Sequence, residues 1–145
     1  MDKYTIEAFK PEHANYILSY GEVENFKIDY KTEHLITQDA WTGFYLGKPI
    51  VCGGIHPLWE VGLVAEVWII MQRGQNKHKF FMLKNIKKYL EEVIKIKKYK
   101  RIQASIRADF KEGVRFAKWF GMESEGLMKQ YGPDGKDYIR LARIE

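Results

Sequence analysis

A change of period in the middle of the chain limits what it can fold into. Leu63 to Met71 is nearly continuously apolar and suits a strand buried on both faces. Then Phe80, Leu83, Ile86, Leu90, Val93 and Ile94 recur at three- and four-residue spacings, the stripe of a long amphipathic helix. Arg101 to Arg107 alternates again, with Ile102, Ala104 and Ile106 on one side and Gln103 and Ser105 on the other. Strand, helix and strand in direct succession make a β-α-β crossover. Its two strands lie parallel, joined by a right-handed connection.

The rest of the chain fills in around that unit. Tyr4 to Phe9 alternates and reads as a first strand. Pro11 suits the first turn of a helix that carries Ala14, Ile17, Leu18 and Tyr20 up to Gly21. A second short helix is expected near Leu35 and Ile36. Trp41 to Leu46 and Ile50 to Ile55 flank Gly47-Lys48 and read as a β-hairpin. Gly53-Gly54 inside a strand signals a bulge or a close backbone approach. Beyond the crossover, Asp109 is a candidate cap for a helix with Phe110, Val114, Ala117 and Phe120, ended by Gly121. Two last strands flank Gly132-Pro133-Asp134-Gly135. The order is β-α-α-β-β-β-α-β-α-β-β. It predicts one α/β domain over residues 1–145, with a mixed, twisted sheet flanked by helices and strands four and five parallel.

Composition excludes some classes. Apolar residues at 46% and charged residues at 30% leave no room for a disordered chain. The longest wholly apolar run, Val67 to Met71, is far too short to span a membrane. The amino end, Met1 to Pro11, has no apolar leader core and reads as mature protein. Cys52 is the only cysteine, so no internal disulfide can form, and a reducing, cytoplasmic location is expected. A net charge of +5 permits an anionic partner without choosing one.

Over essentially its whole length this order resembles the GNAT superfamily of acyl-CoA N-acyltransferases. Ala65-Glu66-Val67 is similar to the Ala-Glu-Ile of histone-type members. Phe116-Ala117-Lys118-Trp119-Phe120-Gly121-Met122 stands where the family ends its fourth helix with Leu-Tyr-x-x-Leu-Gly-Phe. Gly132 to Gly135 ahead of Asp137-Tyr138 resembles its last hairpin. The resemblance implies acetyl-CoA as cosubstrate and a primary amine as acceptor. It places the pyrophosphate where strand four meets the next helix, because a helix start offers backbone N–H groups and the positive end of its dipole. The family's Arg/Gln-x-x-Gly-x-Gly/Ala motif stands there. Here the segment reads Gln72-Arg73-Gly74-Gln75-Asn76-Lys77-His78-Lys79, with only Gly74 of the glycines. The residues implied to hold the cofactor are therefore Arg73, Gly74, Gln75, Asn76, Lys77, His78 and Lys79. Val67 and Ile69 on strand four are implied to hold the pantetheine arm. Arg73, Lys77 and Lys79 can add side-chain charge toward phosphate. Read without the resemblance, the segment is a basic, solvated loop.

Glu66 is the candidate general base, taking a proton from the amine directly or through water. Its bland alternative is a carboxylate paired with a neighbouring cation. The family's acid, a Tyr on the fourth helix, falls on Ala117 here, which has no proton to give. Tyr131 and Tyr138 are substitutes. His56 and His78 are the histidines nearest the site, and no residue spacing suggests a metal. Lys84, Lys87, Lys88 and Lys95 share one face of the long helix, which raises nucleic acid as a less favoured partner against a plain solvated face. Trp119-Phe120-Gly121-Met122 is also similar to the helix ending of GNAT-like proteins of short-tailed phages. That implies a non-catalytic or virion-associated alternative, in which large side chains such as Phe80, Phe81 or Trp68 plug the cofactor cleft.

Overall fold

The computed structural model describes residues 3–19, 38–59, 61–71 and 76–145. In chain order they form β1 (Tyr4–Ala8), α1 (Pro11–Ser19), β2 (Ala40–Tyr45), β3 (Lys48–Pro57) and β4 (Val64–Met71). A single 3-10 turn, Asn76–His78, leads into α2 (Lys79–Lys97). Then come β5 (Arg101–Arg107), α3 (Lys111–Trp119), β6 (Glu123–Met128) and β7 (Tyr138–Ile144). The second helix expected near Leu35 and Ile36 falls outside the described residues. All seven strands join one sheet in the order β1-β2-β3-β4-β5-β7-β6. The β4–β5 pair is parallel, as the crossover requires, and every other neighbouring pair is antiparallel.

The period-2 alternation of β4 and β5 divides the core between the two faces of the sheet. Ala65, Val67, Ile102 and Ala104 point to the side where Leu90, Val93 and Ile94 of α2 and Ala117 of α3 close over them. The opposite face carries Cys52 and Ile70, covered by Ala14 and Ile17 of α1 together with Phe9. The long helix turns a slightly different face inward than the sequence pattern suggests. Phe80 is 92% exposed, while Met82 is buried in its place. Spacings of four from Leu90 lead back to Ile86 and Met82, so Phe80 lies off the stripe.

Local chemistry explains three further details. The β2–β3 turn is Leu46-Gly47 and not Gly47-Lys48. Both residues have positive φ, 50° and 79°, the primed geometry that suits a two-residue hairpin. The bulge falls between Gly43 and Phe44. Gly53-Gly54 marks a close backbone approach, the second of its two expected readings, because a Cβ on Gly53 would sit 2.7 Å from the Trp68 carbonyl oxygen and one on Gly54 2.7 Å from the Ala40 Cβ. Asp109 does not cap α3. Phe110 holds the cap position without a side-chain bond. The Asp109 carboxylate accepts instead from Arg107 Nε at 2.6 Å. A buried guanidinium in need of a counter-charge wins that competition over a solvent-exposed helix end.

At α1 a histidine does the work usually given to a glutamate. His13 Nδ1 accepts the Lys10 backbone N–H at 3.1 Å and lies 2.7 Å from the Thr42 hydroxyl. This is the reciprocal half of a capping box, and it requires Nδ1 to be unprotonated. Burial lowers the His13 pKa from 6.5, against the opposing pull of Glu12 and Glu7. His56 and His78 shift the same way, again chiefly through burial. A depressed folded-state value means that the unfolded chain takes up these protons first. Stability is therefore complete above about pH 6.5 and falls as pH drops through the lower folded values. Urea midpoints should decrease between pH 7 and about pH 5. His13→Gln, whose amide oxygen can keep the cap without titrating, should flatten that slope. An identical slope in the variant would remove His13 from the account.

Candidate active site

The β4–β5 ladder is short. Val64, Ala65 and Glu66 pair with Arg101, Ile102 and Gln103, and there it stops. Past that point β4 keeps its register with β3 up to Met71, and β5 keeps its register with β7 up to Arg107. The two strands therefore part, and a gap opens toward their carboxyl ends. Hydrogen bonding fixes which backbone groups look into it. Leu58 N–H donates to the Val64 carbonyl, whereas the Leu63 carbonyl accepts from the N–H groups of Lys100 and Arg101. Even-numbered residues of β4 thus turn their backbone to β3, and odd-numbered ones turn toward β5. Val67 and Ile69 are odd-numbered, so their N–H and C=O groups point to the gap side. The Val67 side chain is buried in the core beneath, and that of Ile69 is half-buried.

The amino end of α2 follows β4. Its cap residue, His78, makes no side-chain capping bond, and the first turn holds no acidic residue. Its first N–H groups therefore keep a positive field that no carboxylate of the helix's own first turn cancels. Asn76, Lys77 and Lys79 are exposed. Lys77 Nζ lies 5.6 Å from the Tyr45 ring centre. The His78 ring is turned inward and is 2% exposed, with Nδ1 2.7 Å from the Tyr4 hydroxyl. Its backbone, not its imidazole, is what it can offer a ligand. Arg73, Gly74 and Gln75 lie outside the described residues.

Glu66 stands at the point where the ladder ends. It is half-buried on the α1 side of the sheet, between His56 of β3 and Gln103 of β5 in register. Burial lowers the His56 pKa, and the charge of Glu66 opposes that shift. His56 Nδ1 is buried without a hydrogen-bond partner. Three more buried side-chain atoms share that condition: Trp68 Nε1, Ser105 Oγ and Arg140 Nε. Alternation from Glu66 puts Trp68 on the same face, and the ladders extend that face to Gln103, Ser105 and Arg140. Alternation within Arg101–Arg107 already set Gln103 and Ser105 on one side. Arg140 was invisible as a site residue, because only the β5–β7 register brings it opposite Ser105.

The remaining candidates also have places. Ala117 is packed in the core and offers no acid. Tyr138 is buried opposite Arg107 on the same face as Ser105. Burial, then Asp134, raises its pKa, so the phenol keeps its proton at neutral pH. Tyr131 is half exposed, 5.6 Å from the Tyr138 ring centre. The three candidate plugs are all engaged elsewhere. Phe80 faces outward, Phe81 stacks on Tyr4 of β1, and Trp68 meets Phe9 edge-on. An apolar cavity of about 50 Å³ lies between α2 and strands β2 to β4, lined by Trp41, Gly43, Phe81, Ile86 and Tyr89. Trp68 and Ile69 of β4 also line it, so it reaches the strand that borders the gap. The described residues contain no cluster of His, Cys, Asp and Glu fit to hold a metal, and no helix long and apolar enough to cross a membrane.

No family model matches the chain, and no curated protein matches it significantly. Solved structures do share its shape. Ard1 from Thermoplasma volcanium superposes with a TM-score of 0.75 at 14% identity, covering 99% of this chain and 98% of that one. The ribosomal-protein-S5-alanine acetyltransferase of Vibrio fischeri gives 0.71 at 15% identity, covering 99% and 94%. A GNAT-family acetyltransferase from Bacillus anthracis gives 0.66 at 16% identity, covering 99% and 95%. At these identities the likeness establishes the fold, which is that of the GNAT acetyltransferases.

Proposed function

We propose that the chain is an acyl-CoA-dependent N-acyltransferase that moves an acyl group, most simply acetyl, to a primary amine. The observation that carries this reading is the parting of β4 from β5, together with an α2 amino end that follows β4 in the chain and has no acidic residue in its first turn and no side-chain cap. A strand edge aimed into a gap can hold an amide-bearing arm by backbone hydrogen bonds. An uncapped helix start can hold a pyrophosphate. Bound acyl-CoA would supply an activated thioester carbonyl at that gap. The names of two of these structural relatives, both acetyltransferases, agree with this chemistry.

The chain's own residues divide the work as follows. Backbone groups of Val67 and Ile69 hold the pantetheine arm along the β4 edge. Arg73, Gly74, Gln75, Asn76, Lys77, His78 and Lys79 receive the pyrophosphate, with His78 contributing only its backbone. Glu66, directly or through a water, takes the proton that the amine sheds as its nitrogen bonds to the acyl carbon. The C–S bond breaks, and the departing thiolate takes up one proton. Tyr138, a protonated phenol on the same face, and Tyr131 are the candidate replacements for the acid that Ala117 lacks. Positioning alone supplies much of the rate in such a direct transfer.

The non-catalytic, virion-associated alternative called for a plugged cleft, and none of its three plugs is spent there. The nucleic-acid alternative is weakened by the use made of two of its lysines. Lys87 lies over Trp119 at 4.6 Å and Lys88 over Tyr89 at 5.7 Å. Calorimetric titration with acetyl-CoA tests the reading. The expected Kd falls in the substrate range of about 1 μM to 1 mM. No heat and no thermal shift at millimolar acetyl-CoA would overturn it.

A further inference from the structure

Buried polar side-chain atoms in folded proteins are nearly always hydrogen-bonded. Among the described residues the exceptions are four, and all point to the α1 face of the sheet. Two of them, Ser105 Oγ and Arg140 Nε, belong to residues directly opposite each other in the β5–β7 ladder. Three arginines stand on this part of the sheet. Arg101 is held by both oxygens of Glu125. Arg107 donates to Asp109, with Asp134 at 3.9 Å. The Arg140 side chain makes no hydrogen bond or ion pair among the described residues. Glu125, which attracts it at longer range, is already bound by Arg101.

We propose that Ser105 and Arg140 bind the carboxylate of the acyl acceptor, and that the acceptor is a short amino acid whose amine reaches Glu66. This rests on the N-acyltransferase reading for the reaction itself. A carboxylate presents two acceptor oxygens in one plane. One can take the Arg140 Nε–H and the other the Ser105 hydroxyl, which satisfies both buried donors with a single group. The cofactor's phosphates are not competitors for this place, because α2 and its amino end pack on the other side of the sheet. Distance sets the size of the ligand. Ser105 is two residues beyond Gln103, the register partner of Glu66, so it lies about 6.6 Å along the sheet and one strand, about 4.8 Å, across from Glu66, with Arg140 one strand further. Glu66 and Arg140 are long side chains that can cover part of that span, which leaves a short amino acid to fill the rest.

The test uses the full chain labelled with nitrogen-15 and follows arginine Nε–H signals by NMR. The signal missing from Arg140→Gln identifies Arg140. Glycine, β-alanine and γ-aminobutyrate are each compared with the matching amide, which keeps the amine and removes the negative charge. The Arg140 signal should move with at least one of the acids at millimolar concentration and with none of the amides. With acetyl-CoA present, kcat/KM should favour that acid over its amide by about 10- to 100-fold, the range of a charged hydrogen bond. The preference should collapse toward unity in Arg140→Gln and shrink in Ser105→Ala, while the Kd for acetyl-CoA stays put. An unmoved Arg140 signal, or equal transfer to acids and amides, overturns the proposal. If the signal moves but no amine is acylated, the carboxylate site stands and the acyltransferase reading falls. If amines are acylated without regard to charge, that reading stands and this inference falls.

Discussion

Glu66→Gln should lower kcat by about 10²- to 10⁴-fold, the usual worth of a positioned general base, and leave the Kd for acetyl-CoA unchanged. Gln keeps the volume of Glu and its place between His56 and Gln103, so neither the β3–β4–β5 register nor the half-buried surface around it is disturbed. What it loses is the capacity to hold a proton taken from the amine. The binding surfaces assigned to the cofactor, the β4 edge past Glu66 and the start of α2, do not include the carboxylate. A fall in turnover with intact affinity is thus the signature of a lost base. Unchanged turnover would remove Glu66 from the mechanism and turn attention to His56, whose buried Nδ1 lies one strand away on the same face. A joint loss of turnover and acetyl-CoA affinity would mean that Glu66 shapes the gap instead.

The legible part of this protein was the part governed by period. The apolar run of β4, the stripe of α2 and the alternation of β5 follow from the residues alone. The parallel pair follows from their order, and the sheet is built around it. Misread details came from competition between neighbours. Asp109 has the chemistry of a helix cap, but Arg107, fixed by its strand position two residues earlier, takes the carboxylate. Phe80 belongs to the apolar pattern by type, yet the face of α2 is set by Met82, Ile86 and Leu90. The site was legible only where it is local. Glu66 could be found from its own strand. Its neighbours on the α1 face come from β3, β5 and β7, and their convergence depends on the register of three separate ladders. No window of sequence contains that information. The place of Arg140 beside Ser105 is the clearest case, since 35 positions in the numbering separate two residues that stand directly opposite each other.

Ile102→Ala should destabilise the fold by about 2–5 kcal/mol, whereas Ile96→Ala should change it by less than about 0.5 kcal/mol. The chemical change is the same, and only the place differs. Ile102 is fully buried, in the middle of the three-residue ladder that joins β4 to β5, with Ala65 on one side and Arg143 on the other. Truncating it removes apolar contact with the core closed by α2 and α3, and the strands around it cannot collapse into the space without giving up ladder hydrogen bonds. Ile96 is 73% exposed near the end of α2, so its truncation leaves no cavity. Against a total stability of about 5–15 kcal/mol, the loss at Ile102 is a large fraction of what holds the sheet together. Urea denaturation reads both variants: the midpoint should drop for Ile102→Ala with little change in slope. Equal midpoints for the two variants would mean that the parallel pair is not a tightly packed seam. The gap beyond it would then be a loose edge of the sheet, without the rigid wall that a cofactor-binding cleft requires.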